Sequence, residues 1–475
     1  MMRPVHVDPY LQLLGLIALL FFLPKGLLRL GIPSPVTEMT LGVVFGPLVL
    51  GFIEPSDLLE ALSGLGISAL FLFAGLEVSI GEILERKKTM LQHVVIQIGL
   101  FAVAAWVAFG FSFESDLPRA VLIAAAVMSP SAAFIIPALE SLGLSEDRAS
   151  WVKQKAISTE LLAILVVLLF SNSASTQAML IGFGGIVVLM ALVPLAFVGF
   201  HKTILKWAPR TEFSFVMILA LLAAYFTHHL GVHYLVGGFV VGLVARRYLR
   251  WCQKQGLAVA PVRSALTSFR FFSAFLMPFF FFLAGMRLPP GALSVQACLF
   301  AGAMLLLALP LRVGSVMVHR RIALKESWGD SWNVGLLLAP TTVFSVAMAE
   351  ILMGRFTVSE WVIGGLVLYG AATSFVPLLT HKVLSTEYED IMVFGEGVPA
   401  IRPGSGFFGG RRAAMGIGDD DFGVLPSRPE VHEEEEHPPP DDEDAQEQEQ
   451  PFAGAPQSPK SPPTDDAPGD SAKPA

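Results

Sequence analysis

Thirteen separate runs of largely apolar residues, each near the ~20 that a helix needs to cross a bilayer, fill most of this 475-residue chain. They lie near 9–28, 32–53, 58–80, 89–112, 119–142, 149–171, 178–200, 213–230, 233–249, 268–287, 293–318, 332–354 and 358–380. None alternates with period two, and open strands cannot exist in lipid because their backbone groups find no water there. The runs are therefore predicted to be helices, and the chain an all-α membrane protein of thirteen spans. Only 15% of residues are charged, against about 25% in a soluble domain, so most of the chain faces something other than water. Arg3 alone precedes the first run and no small-residue cleavage site follows it, which predicts a retained helix rather than a cleaved signal.

The connections alternate in Lys and Arg. After the odd-numbered runs come clusters such as Arg86, Lys87 and Lys88, then Arg148, Lys153 and Lys155, then Arg320, Arg321 and Lys325. The N-terminus and the even connections hold only Arg3, Arg119, Arg287 and Arg355. Basic residues stay on the cytoplasmic side. This predicts an outside N-terminus, a cytoplasmic C-terminus and, for a bacterial chain, the inner membrane.

An odd count divides as six, a linker and six: repeats over about 9–171 and 213–380, joined by a helix at 178–200. Run 2 has Gly42-x-x-x-Gly46 and run 9 has Gly238-x-x-x-Gly242. Run 3 ends Ala74-Gly75-Leu76 and run 10 ends Ala284-Gly285-Met286. Runs 5 and 12 carry Ser129-Pro130-Ser131 and Pro340-Thr341-Thr342 at mid-helix, with Glu140 and Glu350 at matching places beyond. Partners seven runs apart have opposite topology. Small-residue spacings also serve ordinary helix packing, but three matches in one order predict an inverted repeat, the arrangement of secondary transporters. Proline removes a donor and breaks the preceding turn, so runs 5 and 12 are predicted to be discontinuous. Broken helices at matching places point to a transport site; the plainer alternative is a pair of proline kinks.

Glu160 lies roughly 16 Å into run 6, near mid-bilayer, counting about 1.5 Å per residue. A bare carboxylate there is costly, so it should hold either a proton or a cation, and an intramembrane acid is by default functional. Glu38 in run 2 is a possible second acid. Arg312 in run 11 either snorkels toward the nearby basic cluster or compensates the charge of a buried acid. Glu77, Glu140 and Glu350 read as interfacial, and His228, His229 and His233 as a solvated outer-loop cluster.

Together these residues resemble the monovalent cation:proton antiporter superfamily, in the branch of Kef-type potassium efflux systems and bacterial sodium/proton exchangers. The resemblance covers about 10–385 and rests on Glu38-x-x-x-Gly42-x-x-x-Gly46-Pro47, Leu72-Phe73-Ala74-Gly75-Leu76-Glu77 and Phe279-Phe280-Phe281-Phe282-Leu283-Ala284-Gly285-Met286. It implies that Glu160 takes the place of the family's exchange acid, with Thr159 before it. Ser129, Ser131, Thr341 and Thr342 would then offer oxygens from two crossed, discontinuous helices, and Arg312 would compensate charge. It further implies a homodimer and exchange of Na⁺, K⁺ or Li⁺ for H⁺ at Glu160 by alternating access, with no cofactor. A gated potassium efflux pathway of Kef type is the alternative. Pro340-Thr341-Thr342 departs from the Gly-Glu-Phe of many Kef-type members, so cation choice does not carry over.

Residues 386–475 read as a cytoplasmic, acidic, Pro-rich disordered tail able to bind an unknown partner; from Arg402 on it holds 17 acidic and 6 basic residues. Gly404, Gly406 and Gly409 match the letters of a dinucleotide fingerprint without a surrounding βαβ unit. Cys252 and Cys298 form no metal or redox spacing. No HExxH, GxSxG or intramembrane Asp pair suggests an enzyme, and nothing suggests a nucleic-acid partner.

Overall fold

A computed structural model describes residues 9–111, 116–139, 144–170, 176–208, 211–230, 232, 234–255 and 262–379. Expectations for Glu140, His233 and the tail lie outside them. The described residues form α1 (Pro9–Leu28), α2 (Ser34–Phe45), α3 (Asp57–Glu77), α4 (Ile80–Glu85), α5 (Lys87–Phe111), α6 (Leu117–Met128), α7 (Ala132–Leu139), α8 (Glu146–Phe170) and α9 (Thr176–Lys202). There follow α10 (Ile204–Trp207), α11 (Glu212–His229), α12 (Leu235–Lys254), α13 (Val262–Met286), α14 (Val295–Ala323), α15 (Trp328–Leu337), α16 (Thr342–Arg355) and α17 (Glu360–Thr373). No strand occurs among them.

Among the described residues, eight helices are long and apolar enough to cross a membrane, or nine if α15 and α16, bent by 42°, count as one. The other runs fail that test for physical reasons. At 12 residues each, α2 and α6 are short, while α8 and α12 carry several charges within their length. Run 2 was expected to extend to residue 53, but its helix stops at Phe45. Pro47 pushes the preceding Gly46 out of the helical region, to φ −75° and ψ −175°.

The centre is α3 and α13, packed against each other and flanked by α12 and α2. Two contacts hold this group together, and both require glycine. A Cβ on Gly42 of α2 would lie 2.0 Å from the Phe282 carbonyl oxygen of α13, and one on Gly285 of α13 would lie 2.1 Å from the Met39 carbonyl of α2. Likewise a Cβ on Gly242 of α12 would lie 2.1 Å from the Leu72 carbonyl of α3, and one on Gly75 of α3 would lie 2.3 Å from the Phe239 carbonyl of α12. Without side chains the backbones touch, which is how helices associate where lipid removes the hydrophobic drive. The α3 terminus is capped from outside: Arg246 Nη1 donates to the Leu76 carbonyl at 2.6 Å. Glu77, expected at the interface, is buried and ion-paired with Lys153 of α8.

Around this centre, α1, α5, α9 and α14 turn apolar side chains outward; Trp106, Leu195 and Leu306 are examples. In a membrane that surface meets acyl chains.

Gly242→Ala should force α3 and α12 apart and cost about 1–3 kcal/mol, the usual penalty of overpacking. Gly99→Ala, with nothing within 4 Å of its Cβ, should not destabilise. Thermal denaturation in detergent separates the two.

Candidate functional site

Among the described residues, the α-helix is broken twice inside the protein. Between α6 and α7, Ser129-Pro130-Ser131 is non-helical; between α15 and α16, residues 338–341 are. The breaks touch: the Ser131 N–H donates to the Pro340 carbonyl at 2.8 Å. Each half-helix leaves carbonyls at its C-terminus without a partner in the helix. Buried, each would cost about 1–3 kcal/mol if left bare.

Side chains supply the missing donors. Arg312 of α14 is 5% exposed. Its Nη2 donates to the Leu338 carbonyl at 2.9 Å, and Nη1 to the Ala339 carbonyl at 3.0 Å and the Tyr369 hydroxyl at 3.2 Å. The Tyr369 hydroxyl donates in turn to the Val127 carbonyl of α6 at 3.1 Å. Gln97 of α5 donates to the Met128 carbonyl at 3.1 Å. Arg312 thus does not snorkel. It holds the second break closed and, through Tyr369, the first, and no carboxylate pairs with it among the described residues.

The expected oxygen donors divide into two groups. Ser129 and Ser131 are fully buried, and their hydroxyls have no hydrogen-bond partner. Glu160, 2% exposed on α8, likewise has a buried Oε1 without a partner. The threonines are engaged with α17. Thr341 Oγ1 lies 3.1 Å from Thr373 Oγ1, and Thr342 Oγ1 donates to the Gly370 carbonyl at 2.9 Å and also meets Ser374. Thr159 Oγ1 donates to the Lys155 carbonyl at 3.0 Å and lies 2.9 Å from His93 Nε2. Glu38 is buried on α2, whose main partners are α13 and α1.

Beside the crossing lies a cavity of about 20 Å³, room for one water-sized guest. His93, Gln97, Lys155, Thr159 and Arg312 supply its polar lining, with Met128, Pro130 and Leu338 from the breaks. Glu160 is not among the lining residues; successive residues on a helix point about 100° apart, so Thr159 and Glu160 look different ways. Lys155, grouped by sequence with a loop cluster, is 1% exposed, with its ammonium 4.2 Å from the Trp151 ring centroid and no carboxylate paired to it among the described residues. Sequence reading missed Lys155, His93, Gln97 and Tyr369. The signal lay in α5, where His93 and Gln97 stand four apart in an apolar run and so share one face.

A family model for the transmembrane sodium/hydrogen exchanger matches residues 15–385. The chain belongs to the sodium/hydrogen exchanger family. Its exchanger domain is 26% identical over 224 residues to the Na(+)/H(+)-K(+) antiporter GerN of Bacillus cereus, covering 45% of this chain and 57% of that protein. It is 26% identical to the Na(+)/H(+) antiporter NhaS5 of Synechocystis sp., over 80% of this chain and 55% of the relative. The chain thus spans little more than half the length of these two relatives. Among solved structures, the sodium proton antiporter MjNhaP1 from Methanocaldococcus jannaschii superposes with a TM-score of 0.57 at 17% identity, over 80% of this chain and 95% of its own. The exchanger fold is therefore shared.

Arg312→Met should bare the Leu338 and Ala339 carbonyls and lower stability by about 1–3 kcal/mol for each buried carbonyl left unpaired. Arg312→Lys should recover part of the loss. Melting temperatures of purified protein test both.

Proposed function

We propose that this exchanger is a secondary active antiporter that trades a monovalent cation, Na⁺ or K⁺, for protons by alternating access. Glu160 is the residue for which the two ions compete. The observation that carries the reading is its buried, unpartnered carboxylate oxygen on α8, the helix packed against both α6 and α7. One carboxylate holding either ion couples the two fluxes without a further device. Ser129 and Ser131 are the strongest candidates for additional ligands, because their hydroxyls are unspent. Thr159, Thr341 and Thr342 would need to exchange a present hydrogen bond for an ion. Arg312 serves as the fixed compensating charge, set against the partial negative ends of the half-helices.

Several features support a thirteen-pass chain of two inverted repeats with crossed, discontinuous helices at runs 5 and 12. The two breaks meet. The glycine contacts also come as mirrored pairs: Gly42 of α2 on α13 answers Gly238 of α12 on α3, and Gly75 answers Gly285. The N-terminus outside, the tail in the cytoplasm, the bacterial inner membrane and a homodimer complete the proposal. The names of the relatives, antiporters of Na⁺ and K⁺ alike, favour exchange over a gated potassium efflux pathway.

In everted vesicles carrying a proton gradient, Na⁺ or K⁺ should collapse the gradient with the wild-type protein and leave it intact with Glu160→Gln at equal expression. Persistent flux in that variant refutes the assignment. If Glu38→Gln abolished flux while Glu160→Gln kept it, the site would move to α2. Because protons compete for the carboxylate, the apparent cation affinity should weaken as pH falls. An affinity independent of pH across the active range would contradict competition.

A further inference from the structure

A second, larger concavity, of about 1120 Å³, lies between α5 and α14. The two helices run antiparallel there. His93 of α5 stacks on His319 of α14 with centroids 6.3 Å apart, and further along α5 Gln97 shares the small cavity with Arg312, further back on α14. The start of α5 is therefore level with the end of α14. Leu91 and Val95 form one wall of the trough and Leu311, Val318 and Ile322 the other, all of them exposed. Gly314 keeps it open between them, since a Cβ there would meet nothing within 4 Å. From Pro310 to Ala323 the α14 wall runs roughly 20 Å at about 1.5 Å per residue, enough to span the ~15 Å of half a hydrocarbon core.

One end of the trough is basic. Lys88 lines it at the start of α5, with Lys87 before it; at the end of α14, Arg321 stands beside Ile322 and Lys325 follows the helix. The ion pairs nearby are closed among themselves. Arg320 Nε donates to Glu326 Oε2 at 2.7 Å, and Arg86 pairs with Asp147. That leaves Lys87, Lys88, Arg321 and Lys325 against Glu85, and none of the four is paired with a carboxylate among the described residues.

We propose that the trough between α5 and α14 is a binding site for an anionic phospholipid. One acyl chain lies between the walls of Leu91 and Val95 and of Val318 and Ile322, and the phosphate sits at Lys88. Inside a bilayer an apolar trough is filled by acyl chains rather than water. Basic residues clustered at headgroup depth select the anionic lipids of that leaflet. The bound lipid braces two helices whose other faces carry Gln97 and Arg312 to the broken helices.

Two other occupants fit less well. The acidic tail matches the charge, but it offers no apolar stretch as long as the walls. A second copy related by a two-fold along the membrane normal would bring like charge to like.

The site does not depend on the antiport reading, and binding tests it without any flux. Full-length protein in a non-ionic detergent is titrated with radiolabelled phosphatidylglycerol. One saturable site per protomer is expected. Phosphatidylcholine with the same chains should displace the label at least about tenfold less well, a modest part of what such a basic cluster supplies. Soluble glycerophosphoglycerol, the headgroup without chains, should not displace it. Lys88→Gln should weaken binding about fivefold, the worth of one basic residue at such a surface, and Lys88→Arg should not. Gly314→Trp should obstruct the trough and abolish the saturable site with the lipid-free melting temperature unchanged. Should Gly314→Trp fail to fold, the Lys88 pair decides alone. Equal displacement by phosphatidylcholine would make this ordinary boundary lipid, and displacement by the headgroup would make it an anion site. Binding untouched by the variants would place it elsewhere. Binding seen only after removal of the tail, or only in separated protomers, would give the trough to the tail or to a second copy. Each of these results overturns the proposal.

Discussion

The structure depends on how a chain that must satisfy every backbone group within itself nevertheless opens two helices in its interior. In lipid an unpaired peptide group costs several kcal/mol, so a broken helix survives only if something donates to the carbonyls it frees. Here the breaks partly serve each other, through the Ser131 N–H and the Pro340 carbonyl. Arg312 serves the Leu338 and Ala339 carbonyls, Tyr369 that of Val127 and Gln97 that of Met128. A guanidinium suits this place, because its planar fork can reach two adjacent carbonyls and a phenol at once.

That solution sets the electrostatics of the surroundings. Arg312 and Lys155 both line a cavity of about 20 Å³, and neither has a carboxylate partner among the described residues. The negative ends of α6 and α15, two half-helices whose last carbonyls point toward this region, offset part of that charge. Glu160 meanwhile stands on a different face of α8. The acid and the bases are separated although Lys155 and Glu160 are little more than one turn apart in sequence. A cation entering such a neighbourhood gains more from neutral oxygens, such as the bare hydroxyls of Ser129 and Ser131, than from the cavity lined by Lys155.

The centre formed by α2, α3, α12 and α13 is different in kind. Its helices meet backbone to backbone at glycines, with Gly42 on Phe282 and Gly242 on Leu72. Buried polar side chains are sparse in it, Glu38 and Ser68 among them, and Arg246 caps the end of α3 at Leu76. Close contact of this sort leaves little room for sliding, whereas the broken helices are joined by single hydrogen bonds that can be exchanged.

The sequence by itself determined the helical, membrane-bound character of the chain, because run length and missing charge suffice for that. It also determined the two breaks, because Pro130 and Pro340 cannot donate within a helix, and the family, because its motifs are local. Glu160 stood out as an acid in an apolar run. The exchange role is a proposal; its burial is an observation. What only the tertiary structure decided is which side chains meet. Arg312 was legible as an intramembrane charge, but its partners are carbonyls 26 and 27 residues away, and nothing local encodes that distance. Lys155 looked like a loop cation because charge counting ignores the rotation of a helix, and His93 with His319 became a pair only when α5 and α14 came together. Periodicity along one helix tells which residues share a face; which face meets which neighbour is fixed by packing among all the helices at once.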